Sequence, residues 1–200
     1  MRRLKILVPL IVTGLLLGGL AAYVAGQRAG EPVADSTSHL PSGGDFTLDS
    51  ADGPVALANL RGQVVLIYFG YASCPDVCPT SLALIKAALQ TLAPADLARV
   101  RVLFVSVDPL RDTPAKLKQY AAYFHPNIIG VTGKPAEIAA VALRYGATYR
   151  FTPVQSAVGY VVDHTSVTSV MAPDGRLVEQ LPHGTTAPEI VAAIRRWLPH

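Results

Sequence analysis

The sequence has almost no cysteine: Cys74 and Cys78, four positions apart, are the whole complement in 200 residues. A disulfide framework is therefore excluded. A bridge between two such close positions would enclose too little chain to contribute much, because stabilisation grows with the loop closed. A domain of this size has enough core without it. Charge is scarce as well, at 16% of residues, and its excess sits at the front in Arg2, Arg3, Lys5 and Arg28. Without those four, positions 29–200 hold 13 basic and 14 acidic residues. Such a balance leaves no electrostatic footprint for nucleic acid, which excludes that class of partner. No internal repeat is visible either. What is plentiful is apolar: half of the residues are hydrophobic.

Charge is missing altogether from Ile6 to Gly26. A hydrocarbon core about 30 Å thick needs roughly 20 helical residues, so residues 1–26 read as an N-terminal membrane anchor, with a signal sequence as the alternative. Pro9, Gly14, Gly18 and Gly19 are tolerable in such a segment. The run exceeds the usual signal core of about 7–15 residues, and no clean A-x-A site follows, which favours an uncleaved anchor. Either way the basic start stays in the cytoplasm and the remainder is exported, to the periplasmic side of the cytoplasmic membrane. Residues 27–44, QRAGEPVADSTSHLPSGG, lack periodicity and read as a flexible tether.

From residue 45 to residue 200 the pattern alternates. Phe46–Leu48 and Val55–Leu57 predict a hairpin turning at Asp52-Gly53. VVLIYF, Val64–Phe69, is a short continuous apolar run, as expected of a strand buried on both faces of a parallel sheet. Leu82, Ile85, Leu89 and Leu92 then recur at helical spacing, with Pro79 tolerated in the first turn. Val100–Val107 is a second buried strand, and Thr113-Pro114 opens a helix running to Pro126. Asn127–Val131 predicts a third strand and Pro135–Tyr145 a helix stopped by Gly146. A long irregular piece follows. SVTSVM and RLVEQL then flank Pro173-Asp174-Gly175 as a hairpin, and Thr186 to Glu189 forms a capping box opening the last helix. Alternation around buried strands means an α/β sheet covered by helices. The cysteines fall where a central strand ends and a helix begins, the edge at which open α/β folds place their sites.

At i and i+4 on a helix two side chains share one face, about 5–6 Å apart at Cβ. A helix start also favours the thiolate, which is both the nucleophile of disulfide exchange and a soft metal ligand. That position predicts two accessible thiols that label without denaturant. The familiar redox spacing is C-x-x-C; C-x-x-x-C suits a metal-bridging bite at least as well. Two sulfurs make an incomplete site, and five histidines offer a third donor. His39 lies in the tether and His200 ends the chain. His125 sits at a helix end, where a cation satisfies the dipole. His183, in LPHGTT, belongs to a surface turn. His164, in GYVVDHTSVTSVM, enters an apolar strand away from any helix end. An isolated histidine is by default a structural side chain, so the residues alone leave the third ligand open. Thiolates with imidazole point to copper(I) or zinc rather than calcium, magnesium or manganese. Structural zinc normally takes four ligands, so three soft donors fit copper better.

FGYASCPDVCPTSL (69–82), VSVDPLRDTP (105–114) and YVVDHTSVTSVMAPDG (160–175) together resemble the Sco/SenC family of copper-binding proteins. The resemblance runs from about Asp45 to the C-terminus and includes the preceding anchor. It implies a thioredoxin-like fold with an added N-terminal hairpin and an insertion before the last hairpin. It implies that Cys74, Cys78 and His164 bind copper, as Cu(I) and Cu(II). It also implies a role in assembling the binuclear CuA centre of cytochrome c oxidase, with the CuA-bearing subunit and a second copper chaperone as partners.

Two activities are consistent with this chemistry. A reduced pair plus His164 holds one cuprous ion for transfer to target thiolates, as a metallochaperone does. Without metal the same thiolates attack a disulfide through a mixed intermediate, as a thiol–disulfide oxidoreductase does. A peroxidase on the same fold has only Cys74 to argue for it. Tyr71 and Tyr160 are read as shields of the site or as strand-end core residues. Asp108 and Asp112 are read as a capped turn leading into Thr113-Pro114 rather than as metal ligands. Asp163, next to His164, points to the other face of an extended backbone and is a poor partner for it.

Overall fold

The computed structural model describes residues 40–156 and 159–199. The expected anchor, His39 with most of the tether, and His200 lie outside the described residues. Among the described residues no helix is long and apolar enough to cross a membrane.

The predicted hairpin is present as β1 (Thr47–Ser50) and β2 (Gly53–Ala56), followed by a 3₁₀ turn over Leu57–Leu60. Every residue of β3 (Val64–Gly70) is buried, as its unbroken apolar run requires. The chain then passes through the cysteine loop into α1 (Val77–Gln90) and a one-turn helix, α2 (Pro94–Leu97). Next come β4 (Val100–Ser106), α3 (Pro114–Phe124), β5 (Ile128–Val131) and α4 (Pro135–Arg144). Thr113 caps α3 by accepting from the Lys116 amide, and Pro114 fills its first position.

Two strands, β6 (Tyr149–Pro153) and β7 (Tyr160–His164), occupy the stretch read as irregular, which is a correction. Among the described residues they pair only with each other, with Tyr149 opposite His164 and Pro153 opposite Tyr160. The chain ends with β8 (Thr168–Met171), β9 (Leu177–Leu181) and α5 (Ala187–Trp197). Gly175 closes the β8–β9 turn at a φ of 86°, a backbone conformation that favours glycine. The capping box on α5 is formed, Thr186 N–H donating to Glu189 Oε2 at 2.8 Å.

The central sheet has the order β5-β4-β3-β8-β9. β3 runs parallel to β4 and antiparallel to β8, so the sheet is mixed rather than wholly parallel. The order β4-β3-β8-β9, with crossover helices, is the thioredoxin-like arrangement implied by the resemblance. β5 is an addition at one edge, and β6–β7 is the insertion before the last hairpin. The first hairpin joins the edge through mutual hydrogen bonds between Asp49 and Thr132.

His125 does not act as a cation at the end of α3. Its Nδ1 accepts from the Asn127 N–H at 3.1 Å, and burial, aided by nearby Lys86, lowers its pKa. It is a neutral cap.

Residues 40–199 bury one continuous core centred on β3 and β4. A chain beginning at Leu40 should therefore express as a soluble domain with a single cooperative unfolding transition, followed by circular dichroism. A fragment that aggregates or melts without cooperativity would contradict this division.

Candidate metal centre

Three separate pieces of chain supply the donors. Cys74 lies in the loop after β3, Cys78 is the second residue of α1, and His164 ends β7. The expectation of two thiols on one helical face is thus corrected: the helix begins only at Val77, so Cys74 precedes it. Their Sγ atoms and one imidazole nitrogen nonetheless lie within 4.8 Å of one another. The thiols are not joined in a disulfide.

The two cysteines differ sharply. Cys78 has no exposed surface, whereas Cys74 is half-buried at the rim of an open cleft of about 390 Å³. The expected accessibility of both thiols therefore holds for Cys74 alone. The reason for the burial is Gly70. A Cβ placed there would stand 2.7 Å from Cys78 Sγ and 3.0 Å from the Phe104 ring, so only a glycine lets the sulfur sit against the end of β3.

Burial and proximity split the thiol acidities. Cys74 is pulled far below the ordinary thiol range, first by its hydrogen bond with Cys78, then by His164 and by backbone amides of residues 76 and 78. Cys78 is pushed upward by the same bond with Cys74 and by desolvation. The pair holds one proton, loses the other readily, and presents its negative charge at the mouth of the cleft.

His164 is oriented on all sides. Its Nδ1 lies 3.1 Å from the Thr165 carbonyl, which can only accept, so Nδ1 carries the proton. In the neutral ring this leaves the lone pair on Nε2, 3.2 Å from Cys78 Sγ. The Tyr71 and Tyr68 rings meet the imidazole edge-on, at 5.9 and 6.2 Å between centroids. Tyr71 is a buried core residue, one of its two sequence readings, with its ring against His164. His164 leaves a separate ribbon rather than entering a sheet strand, which corrects its assignment. Asp163 faces away as expected, accepting from Thr152 Oγ1 at 2.6 Å and pairing with Arg150. His183 lies in an exposed turn, its Nδ1 3.0 Å from Ser81 Oγ, and is not among the donors.

Asp108 and Asp112 were read as turn residues, yet neither has any exposed surface. Asp112 Oδ2 accepts from the Ala72 N–H and from Ser106 Oγ, each at 2.8 Å, and its Oδ1 pairs with Lys116. It therefore holds the cysteine loop to the end of β4. Arg111, Gly70 and Tyr68 had no assigned role; the one signal for Arg111 was a charge set inside the motif VSVDPLRDTP, after a buried strand.

With this geometry in view, comparison with known proteins gives a concordant answer. The family model described as SCO1/SenC matches residues 34–199. The chain belongs to the SCO1/SenC family. It is 38% identical over 155 residues to the mitochondrial SCO2 homolog of Bos taurus, covering 76% of this chain and 58% of that protein. The chain thus spans less than two thirds of that relative's length. Its fold is similar to the copper-bound structure of Bradyrhizobium japonicum ScoI, at 40% identity and a TM-score of 0.71, covering 78% of this chain and 99% of that one. It is also similar to BsSco, a member of the Sco family of cytochrome c oxidase assembly proteins for which a disulfide switch is described. That match has 28% identity and a TM-score of 0.63 over 80% of this chain and 94% of that one.

Two outcomes are expected. In the folded chain Cys74 should alkylate readily at about pH 6, where an unperturbed thiol with a pKa of about 8.5 is almost wholly protonated, because its lowered pKa keeps the thiolate present. Cys78 should label only after unfolding; peptide mapping that found equal labelling would place both thiols at the surface. Gly70→Ala should destabilise the fold by about 1–3 kcal/mol through overpacking against Cys78, measured by chemical denaturation. An unchanged midpoint would mean that the Cys78 sulfur yields without cost.

Proposed function

We propose that this chain is a membrane-anchored copper metallochaperone serving assembly of the CuA centre of cytochrome c oxidase, with Cys74, Cys78 and His164 as the ligands of its cargo. The observation that carries the reading is the convergence of two sulfurs and one imidazole nitrogen within 4.8 Å. Among the described residues no fourth histidine, cysteine, aspartate or glutamate joins that group. Structural zinc sites prefer four ligands, and hard cations avoid sulfur, so the donor set fits copper. The copper-bound Bradyrhizobium relative supports the same choice, and the family to which BsSco is assigned supports the oxidase as destination.

The chain's own residues divide the work. Cys74 presents a thiolate at the cleft mouth, where thiolates of an incoming CuA-bearing subunit or of a second copper chaperone reach it first. Cys78, buried at the helix start, is the inner sulfur. The Thr165 carbonyl holds His164 in the tautomer that offers Nε2. The Tyr68 and Tyr71 rings pack against the imidazole and help to fix its plane. On this reading residues 1–26 anchor the protein, residues 27–44 tether it, and residues 45–200 work on the exported side of the membrane.

The asymmetry of the thiols favours a second reading, reduction of the target's CuA cysteines. The Cys74 thiolate attacks a target disulfide, forming a mixed disulfide and releasing one target thiolate. Cys78 then loses its proton and attacks Cys74 Sγ. The second target thiolate leaves, and the pair ends oxidised as a Cys74–Cys78 disulfide, having supplied both electrons.

Titration of the full chain and its His164→Ala variant with Cu(I) against a competing chelator separates the two. Loss of a ligand should lower affinity at least as much as the 10–100-fold typical of outer-shell changes, while the disulfide exchange rate stays near the parent's. An unchanged affinity would remove His164 from the site and leave the reductase reading.

A further inference from the structure

The imidazole and the thiols come from pieces that no sheet hydrogen bond joins. The β6–β7 ribbon is a sheet of its own, and a two-stranded ribbon is marginal in water. Its side chains supply little burial: Val162 is buried on β7, and β6 has no buried residue. Direct backbone attachment to the cysteine loop is slight, with the Val162 N–H donating to Tyr71 OH at 3.4 Å. The His164 end is tied by the Thr165 N–H to the Thr148 carbonyl at 2.9 Å and by β8, which begins at Thr168; the far end, at Tyr160, needs a tether of its own.

Arg111 reaches both sides. Its Nη1 donates to the Tyr160 backbone carbonyl at 2.9 Å, and its guanidinium lies 3.7 Å from the centre of the Tyr160 ring. On the other side it lies 5.6 Å from the ring of Tyr71, the residue that opens the cysteine loop and meets His164 edge-on. Its Nε donates to Asp108 Oδ2, and Tyr160 OH donates to Asp108 Oδ1 at 2.8 Å, closing the cluster on a carboxylate with no exposed surface. A planar fork that stacks and donates in several directions at once suits this place; a lysine ammonium has neither property. Tyr160 begins β7 and His164 ends it. At about 3.3 Å per residue the two stand roughly 13 Å apart on one strand, so Arg111 fixes the far end of the element whose near end carries His164.

We propose that Arg111 is a positioning residue that docks the His164 ribbon onto the cysteine loop, converting a two-thiol site into a three-donor site. The consequence for copper rests on the function proposed above; the docking does not.

The test uses the full chain and two variants. Arg111→Lys keeps a cation beside Asp108 but loses the fork and the stacking. Tyr160→Leu keeps the Arg111–Asp108 pair and removes the ring and hydroxyl. In metal-free protein, hydrogen exchange across Tyr149–Pro153 and Tyr160–His164 should quicken about tenfold or more in both variants, as expected for loss of a hydrogen bond to a charged group, the Arg111 guanidinium in one and the Asp108 carboxylate in the other. Exchange in α1 should not change. If Arg111→Lys does not fold, Tyr160→Leu carries this arm alone. Ribbon exchange equal to the parent's overturns the proposal. In the second arm, Arg111→Lys should weaken Cu(I) binding in the parent chain and have no further effect in the His164→Ala background, because it acts through that imidazole. Equal losses in both backgrounds overturn the proposal and make Arg111 a general stabiliser. Should the parent bind no copper, the proposed function falls, and the metal-free exchange arm still decides the docking.

Discussion

A carboxylate with no exposed surface holds the site end of this molecule together. Leaving a buried charge without partners is strongly unfavourable, so Asp112 requires donors around it. It finds the Ala72 amide in the cysteine loop, the Ser106 hydroxyl at the end of β4 and the Lys116 ammonium on α3. Lys116 also reaches Ser73 Oγ at 3.2 Å, so the loop is held at two successive residues. The demand for partners thus draws a strand end, a helix and the cysteine loop to one point, and the loop takes its shape before any ligand arrives.

On that frame the donor set is assembled from unequal parts. Cys78 is rigid because helix α1, Gly70 and Phe104 enclose it. Cys74 belongs to a loop braced by Asp112 yet open to the cleft. His164 arrives on a ribbon that contributes little burial of its own. Enclosure by the core therefore falls from the inner sulfur to the outer sulfur and the imidazole. On the metallochaperone reading such a gradient suits both holding and release, since exchange of ligands can begin at the mouth without disturbing the core.

The same arrangement accounts for the chemistry of the thiols. A shared proton and unequal burial place the negative charge on Cys74, facing the cleft, and keep the remaining proton inside. Either role, ligand exchange or disulfide exchange, then starts from the same atom. The two readings diverge only at His164, which metal binding needs and thiol chemistry does not.

Much of this was legible in the residues. The unbroken apolar run Val64–Phe69 announced a fully buried strand, Thr113-Pro114 and the Thr186–Glu189 box announced helix starts, and three motifs in order pointed to the SCO1/SenC family. Those signals are local in sequence or short in span, and the physics behind them is periodicity, capping and turn chemistry. The β6–β7 ribbon is faint in the sequence although Tyr149 and Phe151 alternate with Arg150 and Thr152, because each strand has only five residues and β6 buries none of them. The antiparallel entry of β8 beside β3 was equally hidden, for a strand's own sequence does not reveal its partner. Tertiary structure alone decided which thiol is buried, which nitrogen of His164 is free, and that Asp112 and Arg111 brace the site. Each of those facts depends on atoms brought together from distant parts of the chain: Gly70 against Cys78, Thr165 against a ring delivered by the ribbon, Asp112 against Ala72. Burial and hydrogen-bond partners are properties of the assembled neighbourhood, and no stretch of sequence contains its neighbourhood.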